Sequence, residues 1–144
     1  MIKKLLFILL ILSFKVSQAQ TDCFLGVGGK DDKTIATVFK LDSIQVTKMK
    51  KWGAELRYSN SLLIDQANYL VKKNEESSPE VLKTVAVQYQ KLLDSMQNNL
   101  RLIDKRMLGI FNDEQYNLYL LICNQLSINP LYPTYVYTVS VDEK

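Results

Sequence analysis

Few side chains in this chain could carry covalent or metal chemistry. The 144 residues contain no histidine, which removes Ser-His-Asp and Cys-His catalysis and histidine metal sites together. A nucleophilic cysteine would lack its usual base. Cys23 and Cys123 are the two cysteines. In an exported chain they suggest one disulfide, and the alternative is that Cys123 is a small buried apolar residue. Paired, they would close a loop of about 100 residues and contribute roughly 4–5 kcal/mol by chain entropy. The acidic pairs Glu75/Glu76 and Asp113/Glu114 fall at expected helix ends, where they complement the helix dipole or stay solvated. Two-carboxylate glycoside chemistry needs a cleft that thin helices do not provide. Gly26-Val27-Gly28-Gly29 lacks the Lys-Ser/Thr of a phosphate loop. These residues predict a protein that is not an enzyme and has no cofactor or metal.

Two motifs carry more information. Leu41-Asp42-Ser43-Ile44-Gln45 and Phe111-Asn112-Asp113-Glu114-Gln115 each place an apolar residue before a short polar one, with Gln three positions later. This is capping-box chemistry. Asp42 or Asn112 accepts from a free N–H of the first turn, Gln45 or Gln115 reaches back to the cap, and Leu41 or Phe111 can staple onto the helix. Helix starts are therefore predicted at 42 and 112.

The doubled motif resembles the LTxxQ motif of the small exported helical proteins that include the Spy and CpxP envelope-stress proteins. The later copy has the more similar context, because Asp104–Ile110 reads as an amphipathic helix running into the capped turn. The resemblance covers roughly residues 40–127, with Asp42 and Asn112 in place of Thr and Phe111 in place of Leu. It implies an ATP-independent chaperone. In that family, two copies form a thin antiparallel cradle that holds unfolded or aggregation-prone polypeptides in the cell envelope. The rival expectation is a structural or adaptor protein docking one envelope partner through its long helices.

Residues 1–19 read as a signal peptide: Lys3 and Lys4, an apolar run from Leu5 to Phe14, and Ser17-Gln18-Ala19 before a cut at Gln20. The run is too short to span a bilayer, which takes about 20 residues. Asp22, directly before Cys23, argues against a lipid anchor there. The expected location is outside the cytoplasm: the periplasm in a cell with two membranes, otherwise secreted. The chain has 18 Lys plus Arg against 15 Asp plus Glu. Lys3, Lys4 and Lys15 lie in the leader, so the remainder carries no formal charge. Nucleic acid thereby loses its electrostatic support as a partner.

The elements that would position these groups are helical. Residues 20–41 read as an irregular or extended N-terminal segment, with Thr34–Lys40 as a short strand or extended lead-in. From Asp42 to about Lys73, Met49, Trp52, Leu56, Leu63, Ala67 and Leu70 form one stripe, with Gly53 a weakness worth about 1 kcal/mol. Ser78-Pro79 opens a second helix, whose seam runs Leu82, Val85, Tyr89, Leu92, Met96, Leu100, Ile103, Met107 and Ile110. A third helix, Asp113 to about Ser127, turns Tyr116, Tyr119, Leu120, Cys123 and Leu126 inward. The fold class is thus all-α: a long antiparallel helical hairpin plus a shorter helix over 42–127. Residues 128–144 form an extended tail. Its alternating stretch Thr134–Val141 either pairs with 34–40 as a small β-ribbon or stays free.

Two surfaces stand out. Lys48, Lys50 and Lys51 on the first long helix, and Arg101, Lys105 and Arg106 on the second, are expected side by side if position 50 faces position 104. They then form either a positive patch for acidic client chains or a solvated face partly neutralised by Asp104 and Glu55. Tyr58 and Leu62, four apart and off the main stripe, are the candidates for a second apolar face, covered by a client or by another copy in a homodimer.

Overall fold

Both predicted caps set helix boundaries. Asp42 and Asn112 have extended backbone, and their Oδ1 atoms accept from the N–H of Gln45 at 2.8 Å and of Gln115 at 2.9 Å. The computed structural model describes residues 21–134. The leader expected at 1–19, and the tail beyond Thr134, lie outside them. The elements are β1 (Asp22–Cys23), α1 (Asp32–Val38), α2 (Ser43–Lys73), α3 (Pro79–Leu108), α4 (Asp113–Gln125) and β2 (Asn129–Pro130). The fold is all-α, and α2 and α3 form the long antiparallel hairpin. Pro79 occupies the first turn of α3 after Ser78, whose side chain makes no cap hydrogen bond.

The N-terminal segment departs from its expected form. Thr34–Val38 belongs to helix α1, despite its β-branched residues. Ile35 and Phe39, four apart, are both buried in the core, and that tertiary burial overrides a weak local preference. The helix stops where Lys40 takes a left-handed φ of 48° and the Leu41 N–H returns to the Ala36 carbonyl at 2.9 Å. A ribbon between 34–40 and the tail is therefore ruled out. The strand pairing lies elsewhere: β1 runs parallel to β2, with Asp22 opposite Asn129 and Cys23 opposite Pro130. Leu126, expected inward, caps α4 and is exposed.

The core occupies one end of the hairpin. There the N-terminal segment, α1, α4 and the β pair wrap the start of α2 and the end of α3, burying Val27, Phe39, Met49, Ile103, Met107 and Tyr119. Among the described residues, the rest of the hairpin is a two-helix arm with no third layer. Among the described residues, Ala67 is the one buried side chain between Leu56 and Ile103. Two helices alone cannot hide the apolar surface that both carry.

Candidate functional site

The two motif glutamines meet. Gln45 and Gln115 are both buried, and each Nε2 donates to the other's Oε1, at 2.8 and 2.9 Å. The Gln45 amide also donates to the Ile110 carbonyl at 2.7 Å, and the Gln115 amide to the Phe39 carbonyl at 2.9 Å. Each Oε1 in turn accepts from its own cap N–H, Asp42 or Asn112. The two capping boxes are thus one network in which both side-chain amides are satisfied. Phe111 packs against Phe39 with ring centroids 5.0 Å apart and the ring planes tilted by 36°, and Leu41 packs against the same core.

A second network pins the N-terminal loop. Asp104, with no solvent exposure, accepts from the backbone N–H groups of Leu25, Gly26 and Val27 at 2.7, 3.0 and 3.1 Å. Burial pushes its carboxyl up to about 6, even though the three N–H donors pull the other way. Desolvation wins because the loop and α3 exclude water from both oxygens. On the neighbouring face, the Tyr119 hydroxyl donates to the Cys23 carbonyl at 2.7 Å and accepts from the Leu131 N–H at 2.6 Å. Its pKa is raised to about 12, chiefly by burial. Cys23 and Cys123 are disulfide-bonded, with Cα atoms 5.7 Å apart. Neither Asp104 nor Tyr119 was assigned these tasks from sequence. The available signal was an acid inside the apolar seam Ile103…Met107-Leu108.

Two of the six basic residues expected in the patch are held in ion pairs, and the helix register differs from the one expected. Asn60 bonds Asn99 and Glu55 bonds Arg106, a register that sets position 50 beside about position 110 rather than 104. Arg106 pairs with Glu55, while Arg101 pairs with Asp22 on β1. Asp104 is buried under the loop and neutralises nothing on the surface. Lys48, Lys50 and Lys51 are exposed, but lysines at those spacings point around α2 rather than along one face. Tyr58 and Leu62 are exposed, at 68% and 47%.

A groove that sequence spacing did not single out runs along one flank of the arm. It deepens to a cleft of about 580 Å³ lined by Gly26–Gly29, Leu56, Arg57, Asn60, Ser61, Ile64, Met96, Gln97 and Leu100. The loop reaches the cleft because Gly28 crosses α2 at Gly53. A Cβ on Gly28 would lie 2.9 Å from the Gly53 Cα, and one on Gly53 would lie 2.8 Å from the Gly28 Cα. Gly53, read from sequence as a weak point in a helix, is where two backbones touch. The Arg57 guanidinium donates to the Gly28 carbonyl at 3.1 Å.

Fold and site together define a disulfide-pinned helical hairpin with a packed head and an open apolar arm. Among the described residues no helix is long and apolar enough to cross a membrane, and no group of acidic or cysteine side chains could hold a metal ion. Comparison with family models, with curated proteins and with solved structures finds no match to the chain.

Proposed function

We propose that this is an exported, non-enzymatic protein that holds unfolded or aggregation-prone polypeptides in the cell envelope without ATP, similar to the LTxxQ chaperones. One observation carries the reading: the arm leaves large apolar side chains in solvent on both helices, including Tyr58, Leu62, Ile64, Tyr69, Val71 and Val87. Tyr58, Leu62 and Tyr69 share one face of α2, Ile64 and Val71 another, and exposed apolar area in this amount marks an interaction site. The leader at residues 1–19 supports export, and the disulfide suits an oxidising compartment. A homodimer would cover part of the arm and leave the rest for clients.

The test is suppression of aggregation by the purified mature protein. Three unrelated denatured proteins should stay in solution at near-stoichiometric ratios. A protein that leaves all three to precipitate, yet retains one envelope partner in a pull-down, is the single-partner adaptor instead. Sedimentation velocity reads the dimer separately.

A further inference from the structure

The flank of the arm carries two apolar stripes side by side. On α2, Leu56, Ile64, Ala67 and Val71 share a face, interrupted by the polar Asn60. On α3, Leu82, Tyr89, Leu93, Met96 and Leu100 share a face in the same way. Ile64, Val71, Leu82, Tyr89 and Leu93 are all exposed. Between the stripes lies a groove that is open at the hairpin tip and closed at the head.

The closure is built from the glycine loop. Its residues 25–27 hang on Asp104 of α3, and Gly28 rests on Gly53 of α2. The loop therefore crosses from one helix to the other at the head end of the groove. Among the described residues, Arg57 is the one charged side chain lining the cleft beneath this stop, and no acidic side chain lines it. Arg57 is exposed, and among the described residues it forms no ion pair. Its bond to the Gly28 carbonyl uses one N–H and holds the guanidinium at the loop, leaving donors for a carboxylate.

We infer that this groove holds the apolar C-terminal end of a polypeptide, with its last side chain in the cleft between the glycine loop and Met96 and its α-carboxylate on Arg57. A chain lying in the groove from the tip meets the loop at its head end. The charge waiting there is positive, so a carboxylate is matched and a terminal ammonium is not. The cleft volume suits one or two large apolar side chains. The inference rests on the reading of the arm as a polypeptide-holding surface and adds which part of a client it takes.

The experiment titrates the mature protein into a fluorescein-labelled decapeptide ending in Leu-Val-Leu, made as the free acid and as the C-terminal amide, with anisotropy as the readout. The acid should bind about fivefold more tightly, as expected for an exposed ion pair. Arg57→Gln should abolish that preference and Arg57→Lys should keep part of it. Equal binding of acid and amide by the unaltered protein overturns the inference, even if Arg57→Gln fails to fold. Displacement of the peptide by decanoate at lower concentration also overturns it, in favour of a free amphiphile. If neither peptide binds while aggregation is still suppressed, end recognition falls and the holding role stands. If neither peptide binds and clients precipitate, both fall.

Discussion

Gln45 and Gln115, 70 positions apart in the chain, hold each other's side-chain amides in a reciprocal pair inside the protein. Each is also the third residue of its own helix and the partner of its own cap. The start of α2 and the start of α4 therefore share one polar core.

Removing one member should cost more than an exposed cap. Gln115→Ala leaves Gln45 without its partner and the Phe39 carbonyl without its donor, both buried. Urea denaturation should show a loss of about 2–4 kcal/mol, against about 1 kcal/mol for a cap alone. A double-mutant cycle with Gln45→Ala should return a coupling of about 1–3 kcal/mol. Strict additivity of the two substitutions would show that the amides act independently.

Gly53→Ala reverses the usual expectation for a helix. The exchange raises helix propensity by about 1 kcal/mol, yet the new Cβ meets the Gly28 backbone at 2.8 Å. Backbone cannot rotate away as a side chain can, so the loop must move off α2. A net loss of about 1–3 kcal/mol is expected in thermal melts. An unchanged or raised melting temperature would mean that the two backbones are not held in contact.

Asp104 gives stability a particular pH dependence. Its folded pKa of about 6 lies above the ordinary value of 3.8, so the folded chain binds the proton more tightly than the unfolded chain. The contribution is fully present below about pH 4, declines as pH rises through about 6, and is flat above that. The span corresponds to about 3 kcal/mol at most. Other carboxylates titrate over the same range, so the readout is the difference between the native protein and Asp104→Asn. That difference should shift in favour of the variant between pH 4 and pH 6.5. A pH-independent difference contradicts the burial argument.

The disulfide should matter most for the head. Cys23 and Cys123 are 100 residues apart, and replacing both by Ser should cost about 4 kcal/mol on the chain-entropy model. Hydrogen exchange should rise first at residues 22–28, whose anchors are the disulfide, Tyr119 and Asp104. Uniform exchange across head and arm would show that the loop is held by other contacts.

Much of the fold was readable from the chain. Apolar steps of three and four place α2 and α3, and Ser78-Pro79 marks the break between them. The two capping boxes set the starts of α2 and α4 within a residue. Thr34–Val38 was misread, because short β-branched stretches carry little local preference and the burial of Ile35 and Phe39 decided the outcome. The register assumed for the basic clusters, position 50 facing 104, differs from the observed one for a related reason. Spacing along each helix is local, whereas the register between helices depends on contacts such as Asn60–Asn99 and Glu55–Arg106.

The sequence by itself determined α2, α3 and α4, the caps of α2 and α4, the absence of histidine chemistry and the pairable cysteines, because each depends on residues within a few positions or on residue type alone. Tertiary structure alone decided that Gln45 finds Gln115, that Asp104 is buried beneath a glycine loop, and that this loop closes a groove beside Arg57. Those relationships join residues about 30 to 80 positions apart. Chain separation says nothing about distance once packing, rather than local hydrogen bonding, brings the backbones together.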